Sequence, residues 1–154
     1  MDLKELYQEI ILDHGKNPRN KKKCDGFNKH AKGNNPLCGD KVHVFLKINN
    51  EKKVEDISFE GEGCAISMAS ASIMTETIKG KEFNIAKKIL ENFLEMLKEG
   101  SKLNINSLSK DENTTMMSLS GVKRFPMRVK CATLAWHTFM HAAEGRNETV
   151  NTEK

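Results

Sequence analysis

The stretch that decides the fold is residues 41–60, KVHVFLKINNEKKVEDISFE. Apolar residues alternate with other residues over 41–49, a pattern that predicts a half-buried β-strand. A turn then leads to a second strand over 54–60, and the out-of-register Val54 predicts a bulge or an irregular start. Two strands alone are marginally stable, so we expect a covering layer of helices and a third strand, for which the segment 62–67 is a candidate.

Helical periodicity flanks this pair of strands on both sides. The sequence predicts a first helix over 2–13, a second over 65–78 that is rich in small residues, and a third that is strongly amphipathic. A last helix begins after Phe125-Pro126. Helix, strands and then helices predict an α+β fold, in which a small antiparallel sheet of about three strands packs against helices. Predicted helix boundaries are Gly15, Asn84, Gly100 and Gly145.

Two segments carry little periodicity and are predicted to be irregular. The first, 15–37, contains several turn signals and is predicted to be a long surface loop. The second, 101–126, is polar, with Asn, Ser and Thr throughout. Neither has the composition of a linker, so we expect one domain over 1–146, followed by a flexible tail over 147–154.

Composition excludes several classes of function. The chain has 154 residues, of which 38% are hydrophobic and 30% are charged, which suits a soluble globular protein. No apolar run approaches the roughly 20 residues that a membrane span requires. No secretory signal pattern opens the chain, so the expected location is the cytoplasm. The net charge of +4 is mild, and no basic and aromatic pattern supports contact with nucleic acid.

Three of the four cysteines have distinctive local settings that predict one shared site. Cys38 and Cys64 follow turn-forming residues, and Cys131 lies near the start of the last helix. Asp40 lies two residues after Cys38. Three thiolates and a carboxylate form a plausible set of four ligands for zinc or an iron–sulfur cluster. Cys24 lacks such a setting and is predicted to be a spare thiol.

A metal site of this kind is also suited to sulfur chemistry. A metal ion holds a cysteine as the thiolate at neutral pH, and the thiolate is the form that attacks a sulfur donor. Cys38 lies in a segment of Asn, Pro and Gly residues and is therefore the most movable of the three. We predict that Cys38 accepts sulfur once it is released from the metal, whereas Cys64 and Cys131 are anchors.

The three cysteine motifs together resemble those of a known family. They are NPLCGD at 35–40, GEGCAIS at 61–67 and RVKCATLAW at 128–136. In this order they resemble the U-type iron–sulfur assembly proteins, and most of all the SufU branch. The resemblance extends from Leu6 to about Ala143.

The resemblance implies a SufE/IscU-like fold and a zinc ion held by Cys38, Asp40, Cys64 and Cys131. It implies that the partner is a cysteine desulfurase of the SufS type. Persulfide sulfur would be accepted on Cys38 and passed to downstream cluster-assembly proteins, which would make the chain a zinc-dependent sulfurtransferase. The related IscU scaffolds imply an alternative, in which a [2Fe–2S] or [4Fe–4S] cluster is assembled on Cys38, Cys64 and Cys131 and then donated.

Two departures from the IscU pattern favour sulfur transfer over the scaffold. IscU scaffolds carry a His immediately before the third cysteine, and this chain has Lys130 there. The segment 101–126 holds the extra residues that separate the SufU branch from the shorter scaffolds. Arg128 stands where the IscU pattern has a Lys, so it is a candidate catalytic cation that could lower a thiolate pKa or contact the desulfurase.

A purely structural zinc domain that binds another protein or nucleic acid is a third hypothesis. Zinc fingers bring their cysteines in closely spaced pairs. Here Cys38, Cys64 and Cys131 are far apart and no CxxC pair is present. The spacing therefore disfavours the structural zinc domain.

Overall fold

The computed structural model describes residues 2–99 and 107–153. The elements in chain order are α1 (Leu3–Lys16), β1 (Lys29–Asn35), β2 (Asp40–Ile48), β3 (Val54–Glu62), α2 (Ala65–Ile78), α3 (Phe83–Glu99), α4 (Lys110–Met117), a 3₁₀ helix (Ser118–Arg124), α5 (Pro126–Glu144) and β4 (Val150–Asn151).

The sheet has the strand order β3-β2-β1-β4. Strands β1, β2 and β3 pair in antiparallel fashion, and the short β4 runs parallel to β1 at the edge. The register shifts after Lys47, so that Ile48 pairs with Val54. This shift confirms the irregular start predicted for the second strand. The α+β prediction is confirmed, with one short parallel strand added to the three antiparallel ones.

The third antiparallel strand is not where the sequence placed it. The prediction for 62–67 is wrong, because β3 ends at Glu62 and α2 begins at Ala65. The strand is β1, inside the segment 15–37 that was predicted to be a loop. Its sequence, KHAKGNN, has no β-branched residue and places Gly33 in its interior. A Cβ at Gly33 would overlap Thr138 Oγ1 of α5, so the glycine permits close packing that propensity does not reveal.

Helices α2 and α5 pack together on the sheet and form the core with it. Trp136 of α5 is fully buried and donates a hydrogen bond from Nε1 to Ser70 Oγ of α2 at 3.0 Å. Its ring stacks on Phe93 of α3, with ring centroids 4.5 Å apart. The small side chains of α2 over 67–72 are buried, so α1 and α5 can approach this helix closely.

Helix boundaries differ from the predictions in two places. Helix α1 continues through Gly15 to Lys16. Asn84 lies within α3, which already begins at Phe83. Gly145 confirms its prediction, with a left-handed φ of 72° at the end of α5. The predicted boundary at Gly100 lies outside the described residues.

The segment 101–126 is more regular than its polar composition predicted. Its described part contains α4 and the 3₁₀ helix. Ser109 accepts a hydrogen bond from the Glu112 backbone N–H, and the Glu112 side chain accepts one from the Ser109 N–H, which forms a capping box at the start of α4. Residues 101–106 lie outside the described part of the chain.

The C-terminal segment 147–154, predicted to be a flexible tail, contributes β4 to the sheet. Thr152 also donates its backbone N–H to Asn34 O at 3.2 Å. Glu153 forms an ion pair with Lys130 of α5 at 2.7 Å. Residues 150–153 therefore contact both the sheet edge and the last helix. Within 2–99 and 107–153, no helix has the length and hydrophobicity needed to cross a membrane.

Candidate metal centre

Cys38 and Asp40 are positioned by the tight connection between β1 and β2. Asn35 ends β1 and pairs directly with Asp40, the first residue of β2. The Cys38 backbone N–H donates to Asn35 O at 3.3 Å, and Gly39 supplies the left-handed φ of 69° that the turn requires. The turn places the half-buried thiol of Cys38 beside the fully buried carboxylate of Asp40.

Cys64 is the N-cap of α2, and its Sγ accepts a hydrogen bond from the Ser67 backbone N–H at 3.4 Å. The N-terminus of a helix carries partial positive charge, which stabilises a thiolate at this position. The Cys64 backbone N–H donates to Asp40 Oδ1 at 2.8 Å. A Cβ at Gly63 would overlap that carboxylate oxygen, so only glycine permits the approach of Asp40.

Cys131 enters the site from the second turn of α5, which begins with Pro126. Its side chain is 1% exposed, whereas Cys38 and Cys64 are half-buried. Burial is the main cause that raises the pKa of the Cys131 thiol, and Cys38, Asp40 and Cys64 raise it further. Without a bound cation, the Cys131 thiol therefore remains protonated at neutral pH.

The structure brings the side chains of the four candidate ligands close to one another. One ligand atom from each of Cys38, Asp40 and Cys131 lies within 4.8 Å of the other two. Cys64 is adjacent to this group, with its Sγ 3.9 Å from Asp40 Oδ2. Three sulfur atoms and one carboxylate are a donor set that zinc accepts. The residues therefore fit a metal ion, and their assignment as its four ligands stays a prediction.

The two other residues singled out in the sequence lie elsewhere. Cys24 is 2% exposed, and its backbone N–H donates to Ser58 Oγ of β3, outside the ligand group. Arg128 is exposed in the first turn of α5. It lies three residues before Cys131, and its catalytic role stays a prediction.

Asn35 is the site residue that sequence reasoning missed. Its side chain is fully buried. The Nδ2 group lies 3.1 Å from Asp40 Oδ2 and 3.5 Å from Cys131 Sγ, in geometry to donate to both. The sequence does place Asn35 at the start of the motif 35–40. An Asn directly before Pro36 is typical of a turn, so its position did not indicate a role in the site.

The structure is an α+β domain in which three thiols and one carboxylate lie close together where β1 and β2 meet, the arrangement of a candidate metal–thiolate centre. Residues 6–132 match the model of the NifU-like N terminal domain. The chain therefore belongs to the NifU-like N-terminal domain family, which confirms the resemblance found in the sequence.

Characterised relatives cover most of the chain. The zinc-dependent sulfurtransferase SufU of Bacillus subtilis is 43% identical over 135 residues, which are 88% of this chain and 87% of the relative. The iron–sulfur cluster assembly scaffold protein IscU of Streptococcus pyogenes is 39% identical over 91% of this chain and 84% of its own length.

A solved structure agrees with the fold. It is a putative iron–sulfur cluster assembly scaffold protein for the SUF system from Fervidobacterium islandicum. That structure is 34% identical and superposes with a TM-score of 0.78, covering 90% of this chain and 97% of its own. The described fold is therefore that of SufU-type proteins.

Proposed function

We propose that this protein serves in iron–sulfur cluster assembly as a zinc-bound sulfur acceptor. The observation that carries the proposal is the convergence of Cys38, Asp40 and Cys131, with Cys64 adjacent, in a chain of this family. The SufU relative, named a zinc-dependent sulfurtransferase, supports the same function. In this proposal the chain works as a zinc-dependent sulfurtransferase.

Zinc would be held by the thiolates of Cys38, Cys64 and Cys131 and by the carboxylate of Asp40. When bound, it would keep buried thiols deprotonated at neutral pH. Asp40 is the one hard ligand of the four. It is held in place by the hydrogen bonds that it accepts from the backbone of Cys64 and the amide of Asn35.

Cys38 is the best placed of the three thiols to accept sulfur. It lies in a turn with Gly39, next to the 56% exposed Leu37, whereas Cys131 is buried in α5. The Cys38 thiolate would attack the outer sulfur of a persulfide on the donor. A new S–S bond forms on Cys38, the donor's S–S bond breaks, and the donor cysteine leaves as a thiolate.

The donor is a cysteine desulfurase of the SufS type, and the sulfur passes from Cys38 to downstream cluster-assembly proteins. The exposed guanidinium of Arg128, on the helix that carries Cys131, would contact this partner or favour the thiolate form. We place the reaction in the cytoplasm.

The scaffold function has its own support, because the IscU relative shares 39% identity with this chain. The two functions are distinguished by measuring the metal content and the acid-labile sulfide content of protein that has been purified without air. One zinc ion without sulfide supports the sulfur acceptor. Iron with matching sulfide and visible absorbance supports the scaffold and would displace the proposal.

The acceptor itself is tested by stimulation of a SufS-type desulfurase. Cys38→Ser is expected to abolish stimulation and to leave no persulfide on the chain in mass spectrometry. Cys24→Ser is the matched control, because it removes a cysteine that lies outside the ligand group. Wild-type stimulation by Cys38→Ser would overturn the assignment of the acceptor.

A further inference from the structure

One buried amide connects the candidate metal centre to the C-terminal strand. Asn35 Nδ2 donates on one side to Asp40 Oδ2 and Cys131 Sγ. Its Oδ1 accepts a hydrogen bond on the other side from Thr152 Oγ1 at 2.9 Å. Asn35 and Thr152 are separated by 117 positions in the chain, so only the folded structure brings them together.

The orientation of the Asn35 amide follows from the chemistry of its partners. A carboxylate can only accept hydrogen bonds, so the NH₂ group must face Asp40, the side on which Cys131 also lies. The carbonyl of Asn35 then points the opposite way, into a site from which water is excluded, and it needs a donor. The hydroxyl of Thr152 is that donor.

Thr152 is itself held in place by its neighbours. Its backbone N–H donates to Asn34 O, which continues the pairing of β4 with β1. The next residue, Glu153, forms an ion pair with Lys130, which directly precedes Cys131. The segment 150–153 therefore contacts two elements that border the site, the end of β1 and the start of α5.

We propose that Asn35 is a positioning residue for Asp40 and Cys131, and that Thr152 holds Asn35 in the productive orientation. The C-terminal segment then helps to position the ligands of the proposed metal centre. This inference rests on the proposed zinc site. Loss of a residue that supports a metal ligand typically lowers metal affinity about 10–100-fold.

The test is zinc affinity, measured by competition with a chromophoric chelator on the full-length protein without desulfurase. Thr152→Val removes the hydroxyl and keeps the shape of the side chain, and it is expected to weaken zinc binding about 10-fold or more. Thr152→Ser restores the hydroxyl and is expected to bind like the wild type. Thr149→Val is the matched control, because Thr149 is an exposed threonine that directly precedes β4.

A second readout separates positioning from general stability. The thiolate-to-cobalt absorption bands of cobalt-substituted protein report the ligand set, and they are expected to shift in Thr152→Val and in Asn35→Ala. Unfolding of the metal-free proteins reports the fold alone. Without metal, Thr152→Val is expected to stay folded but to unfold more easily than Thr149→Val, because the buried carbonyl of Asn35 loses its donor. Only Thr152→Val is expected to lose zinc affinity.

Two results would overturn the inference: wild-type zinc affinity and cobalt spectrum in Thr152→Val, or an equal loss of affinity in Thr149→Val. Either result leaves the proposed sulfur transfer standing, because that function is tested separately through Cys38. If the wild-type protein itself binds no zinc, the proposed function fails first.

Discussion

Asp40 is in contact with several other residues of the candidate centre. Its carboxylate is fully buried and accepts from the Cys64 backbone N–H and the Asn35 amide, and one of its oxygens lies within 4.8 Å of the Cys38 and Cys131 sulfur atoms. A buried carboxylate that accepts two neutral hydrogen bonds still carries a net negative charge, which a metal cation would neutralise. This residue is therefore the most direct test of the ligand set.

Asp40→Ala is expected to weaken zinc retention. Loss of a residue that only supports a ligand lowers metal affinity about 10–100-fold, and we expect a larger effect here. The reason is that the substitution removes both a proposed ligand and the acceptor for the Cys64 N–H. The measurement is zinc remaining after dialysis against a chelator. Asp25→Ala, at an exposed position outside the centre, serves as the control. Equal retention in both variants would remove Asp40 from the site.

At the scale of elements, close packing of β1 on α5 brings two parts of the site together. Asn35 closes β1, and Cys131 lies in α5. Between the two elements, Gly33 faces Thr138 with no room for a Cβ. The distance between strand and helix therefore depends on a single glycine.

Gly33→Ala is expected to destabilise the protein by about 1–3 kcal/mol, because the added methyl group overpacks the contact with Thr138. Equilibrium unfolding in denaturant measures the effect. Gly121→Ala is the matched control, since a Cβ there meets nothing within 4 Å. Similar stability of the two variants would show that β1 and α5 separate without cost.

A second contact between elements joins α1 to α2 and depends on pH. His14 Nδ1 lies 2.7 Å from Ser72 Oγ, and the imidazole is buried. Burial, with the nearby charge of Arg19, lowers the pKa of His14 from its usual 6.5. The unfolded chain therefore binds more protons than the folded chain at slightly acidic pH.

The free energy of unfolding is accordingly expected to fall as the pH drops through 6.5 toward the lowered pKa of His14. Above pH 6.5 the imidazole is neutral in both states, and this contribution to the pH dependence disappears. Denaturant unfolding from pH 8 to 5 measures the slope for the wild type and for His14→Gln. We expect a shallower slope in His14→Gln, and equal slopes would contradict this role of His14.

The molecule as a whole brings the candidate ligands from three distant places in the chain. Cys38 and Asp40 come from the turn between β1 and β2, Cys64 from the start of α2 and Cys131 from α5. A metal ion bound to all of them would join the sheet to both core helices. Such an ion binds only the folded state and adds its binding free energy to stability.

Zinc is therefore expected to raise the midpoint of thermal unfolding, and chelation is expected to lower it. Zinc at about 1,000 times its dissociation constant contributes about 4 kcal/mol to stability. Scanning calorimetry of the zinc-loaded and chelator-treated protein measures the difference. A much smaller difference is expected in Asp40→Ala. Identical midpoints with and without zinc in the wild type would contradict a site that connects these elements.

The sequence by itself determined the parts of this protein that depend on local pattern. Alternation predicted β2 and β3, a stretch of small residues predicted α2, and helical periodicity predicted α5, all close to their observed bounds. The settings of the three cysteines predicted that they converge, because thiols at the ends of elements can meet at one point.

Only the tertiary structure decided which segment completes the sheet and what supports the candidate centre. Strand β1 has little intrinsic strand propensity and forms because β2 and α5 offer it hydrogen bonds and a close-packed surface. The segment 150–153 reads as a tail, yet it pairs with β1 and reaches the buried Asn35 through Thr152. These contacts join residues far apart in sequence, and their energies depend on burial and distance, which exist only once the chain has folded.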